Sequence, residues 1–214
     1  EKALKVTIKA KDDRLAELKK ILYGNQPPEW NPLPVVYHDF LNPAQKQAVQ
    51  SILAAKDIAI IHGPPGTGKT TTLVHAIKLL AEKEKHILVT ASSNAAVDLL
   101  VERLDKQGLN VVRIGNISRV NDQLISMTLE GRLSIHPENK NIKRLRVQAA
   151  NARKGAGKFK RRFGSKQRQQ RNTSYQEARE LESYAKMLEE RLLNEILFNA
   201  DVIACTLVNT LSHV

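Results

Sequence analysis

The chain has 214 residues, of which 42% are hydrophobic, and this composition excludes a protein that is disordered throughout. One cysteine excludes an internal disulfide. The chain contains neither an apolar run of about 18 residues nor a signal-peptide centre. We therefore expect a cytoplasmic, or more generally intracellular, protein with no membrane partner, and a nuclear location stays open if the source is a eukaryote. The net charge of +12 is local, since residues 140–171 carry 13 Lys and Arg and no acidic residue. A local cluster of cations is typical of an element that faces a polyanion.

The first 40 residues predict a helix followed by a connector. Residues 11–22 begin with acidic side chains and place leucines on one face, and Gly24 stands where such a helix would end. Four prolines between residues 27 and 34 then favour an extended chain. A second helix is predicted to start at Pro43, with Asn42 as its N-cap.

The most informative stretch is a phosphate-binding loop. Residues 63–70 match the complete Gly-x4-Gly-Lys-[Ser/Thr] pattern. The apolar run Ile58–Ile61 before it predicts a buried strand, and a helical pattern follows it, which is the context that the motif requires. A turn that only joined a strand to a helix would not need Lys and Thr at this spacing. We therefore expect nucleotide contacts from Gly63, Pro64, Pro65, Gly66, Thr67, Gly68, Lys69, Thr70 and Thr71.

The occurrence of each residue type in the loop has a physical explanation. Glycines allow backbone conformations in which successive N–H groups converge on one concavity, at the positive end of the following helix. Lys69 would place an ammonium near the β- and γ-phosphates, and the Thr70 hydroxyl is the expected ligand of Mg²⁺. The loop therefore predicts binding of a nucleoside triphosphate without indicating which reaction follows.

Further apolar runs at residues 85–91, 110–115 and 199–208 predict three more strands, with helical patterns between them. This alternation predicts an α/β fold with a doubly wound parallel sheet and ligands at the carboxyl ends of its strands. We expect Arg113 to support that edge of the sheet rather than to contact nucleotide.

Residues 136–198 predict an insertion. A basic helix over 141–150, interrupted at Gly155–Gly157, and a second helix opened by a capping box at Ser174–Glu177 would form a long antiparallel hairpin. The helix over residues 12–22 is a candidate partner for it, as a stalk. The tip of the hairpin interleaves two phenylalanines with cations, which suits contact with single-stranded nucleic acid, although a solvated charge run is the alternative. The tip cations are Lys158, Lys160, Arg161 and Arg162.

Three motifs resemble one helicase family. Leu41-Asn-x-x-Gln45, ahead of the phosphate loop, resembles the Q-motif of superfamily 1B helicases, and more narrowly of the upstream-frameshift and immunoglobulin-mu-binding-protein group. Residues 92–100 are similar to motif Ia of that group, with Ser92 where proline is usual. Asn-Ala-Asp-Val-Ile from residue 199, followed by Thr206, is similar to a later motif.

The resemblance implies a RecA-like P-loop fold, here incomplete, with ATP and Mg²⁺ as cofactors. It also implies that Gln45 reads the adenine edge and that Ser93, Asn94 and Thr206 contact single-stranded nucleic acid. Two alternatives stay open: Gln45 as an ordinary helix-surface residue, and Ser93 or Asn94 as helix caps only. The predicted parts are residues 1–40 (stalk helix and connector), 41–135 (first part of the RecA-like domain), 136–198 (hairpin) and 199–214 (returning strand).

In this helicase group the next motif is Asp-Glu-x-x-Gln, which this chain does not contain, and we also expect the second RecA-like domain to lie outside it. Phosphoryl transfer needs a metal clamp, an oriented water and an arginine together. We therefore predict the ATP-binding portion of a 5′–3′ helicase, in which Lys69 and Thr70 serve catalysis only with these additional parts, so that this chain alone is inactive. The alternative is a nucleotide-gated nucleic-acid-binding module without motor activity. DNA and RNA both stay open as substrates.

Overall fold

The computed structural model of the protein describes residues 2–35, 40–157, 164–208 and 210, and the chain divides into two units, residues 1–83 and 84–214. The first unit contains four helices in its described part: α1 (Lys2–Lys9), α2 (Arg14–Leu22), α3 (Pro43–Ala54) and α4 (Lys69–Ala81). The second contains β1 (Ile87–Ala91), α5 (Asn94–Asp105), β2 (Val111–Arg113), α6 (Leu129–Ile135), α7 (Asn139–Gly157), α8 (Ser165–Phe198) and β3 (Val202–Thr206). Short 3₁₀ helices cover Ile117–Arg119 and Asp122–Met127.

The second unit is built on a three-stranded parallel sheet in the order β1-β3-β2. Val202 lies opposite both Ile87 and Val111, so the three strands begin in register. The central strand β3 is covered on both edges, and accordingly Val202, Ala204 and Cys205 are fully buried. The predicted α/β class and its parallel sheet are confirmed.

The strand predicted over Ile58–Ile61 is wrong in this structure. Residues 58–64 have no strand pairing within the described part of the chain, and the Ile60 side chain is 82% exposed. A strand needs a neighbour for its N–H and C=O groups, and the described residues provide none at this position. The apolar run therefore enters the phosphate loop as extended chain.

In the first unit, Asp57 joins helix α2 and the proline-rich connector to the segment that enters the phosphate loop. Its carboxylate accepts from the Arg14 guanidinium and, at 2.6 Å, from the backbone N–H of Glu29, and its side chain is only 4% exposed. The Glu29 N–H, followed by the Arg14 guanidinium, lowers the pKa of Asp57 below its ordinary value of 3.8. The charged form of this carboxylate is therefore favoured by folding.

We expect this contact to make the first unit acid-sensitive. A carboxylate with a depressed pKa contributes stability above pH 3.8, its ordinary value, and that contribution is lost as the pH falls through the lower pKa of the folded state. Asp57→Asn should therefore lower the urea midpoint at neutral pH, and its difference from wild type should shrink as the pH falls below 3.8. Circular dichroism during urea unfolding measures this. The exposed Glu82→Gln serves as the control, and a difference that does not change with pH would contradict the assignment.

In the second unit, α7 and α8 form the predicted antiparallel hairpin. Arg146 pairs with Glu189 and Arg153 with Glu182, so contacts that move forward along α7 move backward along α8. The buried seam repeats every seven residues and is rich in alanine, which lets the helices approach closely. Its members are Ile142, Ala149 and Ala156 on α7 and Ala178, Ala185 and Leu192 on α8.

Two details predicted for the hairpin are wrong. Helix α7 continues through Gly155 to Gly157, and α8 begins at Ser165, so Ser174 lies inside a helix and forms no capping box. Seam packing at Ala156 holds the glycine-containing turn helical, which local propensity does not predict. The contact predicted for the tip stays a prediction, because Lys158, Lys160, Arg161 and Arg162 lie outside the described residues.

The C-terminal end of α8 packs against the sheet. Leu193, Ile196 and Leu197 contact a buried cluster that comprises Val112, Ile114, Leu129, Ala200 and Cys205. The base of the hairpin is therefore part of the core of the second unit. None of the helices in the described ranges combines the length and apolarity that crossing a membrane requires.

Candidate nucleotide-binding site and nucleic-acid interface

The phosphate loop leads directly into the start of helix α4. Gly66 and Gly68 have φ angles of +82° and +80°, a left-handed conformation that favours glycine. Gly68 is the N-cap of α4 and has no side chain that could cap the first N–H groups of the helix. An exposed helix N-terminus of this kind attracts anions. The geometry of the loop is that of a phosphate site.

The Lys69 side chain folds over the same loop. Its Nζ donates to the carbonyl oxygens of Gly63 at 2.6 Å and Pro64 at 2.7 Å, while the Thr67 hydroxyl donates to Pro64 O at 2.9 Å. An ammonium has three donors, so one hydrogen of Lys69 is not used by these two bonds. The side chain thus lies at the loop with its charge available to a phosphate.

Gln45 joins helix α3 to the phosphate loop. Its Oε1 accepts from the N–H of Asn42 at 3.1 Å, while its own N–H donates to Asn42 Oδ1 at 2.9 Å, which completes a capping box at the start of α3. Its Nε2 donates to the Thr67 carbonyl at 3.1 Å. Gln45 is therefore not an ordinary helix-surface residue, and the sequence did not predict that it supports the loop.

A cavity of about 380 Å³ lies within the first unit beside these groups. Its volume is in the range of small-molecule and cofactor sites. The wall combines the small Ala44 and Ala48 side chains of α3 with the polar loop, and includes Gln45, Thr67, Lys69 and Thr72. The predicted phosphate-binding lysine and the predicted base-reading glutamine thus line one cavity.

A Mg²⁺ ion at this site would have few ligands from the protein. Thr70 is the second residue of α4 and is partly exposed. Across the described ranges, no three His, Cys, Asp or Glu side chains form a group that could hold a metal ion. Mg²⁺ usually keeps several waters and binds phosphate oxygens, so one threonine hydroxyl is compatible with an ion that arrives with a nucleotide.

Two glycines of the loop offer a matched test of the contact with Gln45. A Cβ at Gly66 would meet no atom within 4 Å, whereas a Cβ at Gly68 would lie 2.6 Å from Gln45 Nε2. Both alanine variants carry the left-handed backbone penalty of about 1–2 kcal/mol, but only Gly68→Ala must also displace Gln45. We expect Gly68→Ala to lose more stability and more nucleotide affinity, measured by urea unfolding and nucleotide titration. Equal losses of stability and of nucleotide affinity in the two variants would show that the position of Gln45 against the loop does not matter.

A second group of predicted residues meets at the carboxyl edge of the sheet in the second unit. Ala91 at the end of β1 lies opposite Thr206 at the end of β3, and Leu207 N–H donates to Ala91 O at 3.2 Å. Ser93 and Asn94 follow β1 directly. Thr206 therefore lies at the edge of the sheet from which motif Ia begins, as the resemblance implies. The contacts of Ser93, Asn94 and Thr206 with nucleic acid stay predictions.

Ser93 caps helix α5, whereas Asn94 does not. Ser93 Oγ accepts from the N–H of Ala96 at 3.2 Å and is the N-cap of α5, although its own hydroxyl hydrogen is still a donor. Asn94 Oδ1 instead accepts from Nη2 of Arg113 at 2.8 Å. Arg113 thus supports this edge, as predicted from the sequence.

The P-loop at a helix N-terminus and the parallel α/β sheet define the class of P-loop nucleotide-binding domains. A family model described as an AAA domain matches residues 40–214, and the chain belongs to this family. The predicted resemblance to superfamily 1 helicases is confirmed by this match and by the relatives below.

Three similar proteins illustrate the family. DNA polymerase alpha-associated DNA helicase A of Schizosaccharomyces pombe is 35% identical over 78% of this chain, which corresponds to 24% of that protein. DNA-binding protein SMUBP-2 of Mesocricetus auratus is 34% identical over 87% of this chain and 18% of its own length. A regulator of nonsense transcripts 1 homolog of Neurospora crassa is 34% identical over 78% of this chain and 14% of its own. The chain therefore spans a quarter or less of the length of these relatives.

Proposed function

We propose that this chain binds ATP and Mg²⁺ as the front portion of a motor that moves 5′ to 3′ on single-stranded nucleic acid. The observation that carries the proposal is Gln45, which is held between the start of α3 and the carbonyl of Thr67 beside the phosphate loop. A glutamine in this place links the base end of a nucleotide site to its phosphate end. A P-loop alone would support only phosphate binding.

Adenine would be read by the part of the Gln45 carboxamide that the protein does not use. Oε1 has two lone pairs and Nε2 has two hydrogens, and the bonds with Asn42 and Thr67 use one of each. The remaining acceptor and donor match the neighbouring N6 donor and N7 acceptor of adenine, whereas guanine presents two acceptors there. We therefore propose ATP rather than GTP as the preferred nucleotide.

The phosphates would lie on the loop amides and the N-terminus of α4. Lys69 would contact the β- and γ-phosphates in place of its present bonds to Gly63 O and Pro64 O, and Thr70 would be a ligand of Mg²⁺. The described residues that line the cavity supply phosphate binding and include no carboxylate. Hydrolysis would need a carboxylate and an arginine in addition, and we propose a second RecA-like domain as the source of the arginine.

Nucleic acid would bind at the carboxyl edge of the sheet through Ser93, Asn94 and Thr206. Short polar side chains and helix-start amides suit phosphate oxygens. The similar proteins from Schizosaccharomyces pombe and Mesocricetus auratus are named a DNA helicase and a DNA-binding protein, which supports nucleic acid as the partner. The preference for a single strand rests on the motif resemblance.

Steady-state ATP hydrolysis by the longest natural form of the chain, with and without oligo-dT and oligo-U, tests the proposal. Strong stimulation by either oligomer is the expected result, and the better oligomer indicates the substrate. Nucleotide binding without turnover would favour the gated binding module instead. Hydrolysis that does not respond to nucleic acid, without any single-strand binding, would reject both.

The hairpin tip provides a separate test of nucleic-acid contact. If all four tip cations touch phosphates, their removal should reduce the slope of log affinity against log salt by about three, because each contact contributes about 0.7 for a single strand. Fluorescence anisotropy with oligo-dT at several salt concentrations measures the slope. The variant replaces Lys158, Lys160, Arg161 and Arg162 with alanine, and the control replaces Lys9, Lys11, Lys20 and Lys83. Equal slopes in the variant and the wild type would assign the tip to solvent or to a protein partner.

A further inference from the structure

Arg113 carries a positive charge in a place where charge is unfavourable. It is the last residue of β2, and its side chain is 0% exposed. A buried guanidinium is tolerated only when acceptors surround it. The structure provides three: Asp98 Oδ1 at 3.0 Å from Nε, Asn94 Oδ1 at 2.8 Å from Nη2, and the carbonyl oxygen of Ile114. Two of these acceptors belong to the first two turns of α5.

The chemistry of arginine determines how the Asn94 amide is oriented. A guanidinium has donors only, so the Asn94 atom that faces it must be the oxygen. Both hydrogens of Nδ2 are consequently directed away from Arg113, and the described residues offer them no acceptor. Asp98, the other α5 partner, is fixed in turn, because its Oδ2 accepts from Asn121 N–H at 3.2 Å.

We infer that Arg113 is a positioning residue, which holds Asn94 so that the two amide hydrogens face a bound phosphate. This inference rests on the proposed binding of single-stranded nucleic acid at this edge. Phosphate oxygens only accept hydrogen bonds, so the opposite amide orientation would place an acceptor against an acceptor. Arg113 would therefore raise affinity from inside the core without contacting the strand.

Asn94→Asp separates positioning from folding. Aspartate has the same shape and keeps an oxygen towards Arg113, but its outer atom is a charged acceptor in place of a donor. We expect the variant to lose at least about tenfold in affinity for oligo-dT, with nucleotide affinity unchanged and Tm not lowered, because the bond to Arg113 is kept. Asn25→Asp makes the same change in charge at the exposed turn after α2 and is the control.

A second variant tests whether Arg113 acts through Asn94. Lysine keeps the charge but not the planar set of donors, so Arg113→Lys should weaken oligo-dT binding several-fold. In an Asn94→Ala background the same replacement should cause no further loss. If Arg113 had a purely structural role, Arg113→Lys would instead reduce oligo-dT affinity by the same factor in the wild type and in the Asn94→Ala background.

The experiment is oligo-dT binding by fluorescence anisotropy, with Tm and nucleotide titration on the same samples, using the longest natural form of the chain. If Asn94→Asp binds like wild type while the wild type binds normally, the inference is wrong and the proposed function stands. If the wild type binds no single strand at all, the proposed function fails and this inference fails with it.

Discussion

Lys69→Ala should raise the dissociation constant for the magnesium nucleotide by about ten- to a hundredfold. The lysine side chain lies on the phosphate loop, where its Nζ donates to the carbonyls of Gly63 and Pro64. A charge-assisted hydrogen bond lost from a bound phosphate removes about 1.5–3 kcal/mol, which is this range of affinity. Titration with a fluorescent ATP analogue in the presence of Mg²⁺ measures the effect.

The control for this variant is Lys83→Ala, which removes the same side chain from an exposed position just after α4. It should bind nucleotide like wild type. Circular dichroism must show that Lys69→Ala keeps its helices, because the substitution also removes two hydrogen bonds within the loop. Equal affinities of the two alanine variants would contradict the phosphate-binding role of Lys69.

The features predicted correctly from the sequence depend on short-range chemistry. The N-cap at Asn42 and the helix start at Pro43 need only a side-chain oxygen and a fixed φ angle within a few residues. The left-handed Gly66 and Gly68 belong to a loop whose conformation the motif itself specifies. The strands of the parallel sheet were predicted because β-branched apolar runs between helices favour burial on both faces.

The features that the sequence did not predict correctly depend on distant partners. Ile58–Ile61 has the composition of a strand, but pairing requires a neighbour that local sequence cannot indicate. The helical course through Gly155 depends on contacts between α7 and α8. The pairing of Asp57 with Arg14 and with the Glu29 N–H joins residues that are 43 and 28 positions apart, and nothing in the composition near Asp57 indicates it.

Residues that the sequence predicts to contact ligands also stabilise the fold. This explains why the sequence was compatible with both a binding role and a structural role for each of them. Gln45 closes a capping box and contacts the loop, yet keeps one donor and one acceptor. Asn94 Oδ1 accepts a hydrogen bond from Arg113, and this bond leaves the Nδ2 donors unused. Internal bonds of this kind hold a side chain in the orientation that a ligand needs, so they lower the entropy lost on binding.

Gly131→Ala should destabilise the second unit by about 3 kcal/mol or more. A Cβ there would lie 1.9 Å from the carbonyl oxygen of Ile125 and 2.9 Å from Thr128 Oγ1. Neither atom can move freely, because Thr128 donates to Ile125 O from both its N–H and its hydroxyl and accepts from Gly131 N–H at 2.9 Å. When an added atom clashes with backbone, the loss in the free energy of unfolding is at least as large as in the more severe cases of core overpacking. Urea unfolding followed by circular dichroism measures the loss.

The same replacement at Gly155 should have the opposite sign. Gly155 is exposed within α7, and a Cβ there meets nothing within 4 Å, so alanine removes the entropic disadvantage of a helical glycine and adds about 0.5–1 kcal/mol. Because Thr128 also bridges to Arg113 at the edge of the sheet, only Gly131→Ala should weaken single-strand binding as well. A Gly131→Ala protein as stable as wild type would mean that α6 does not pack on the 3₁₀ helix over Asp122–Met127 as described.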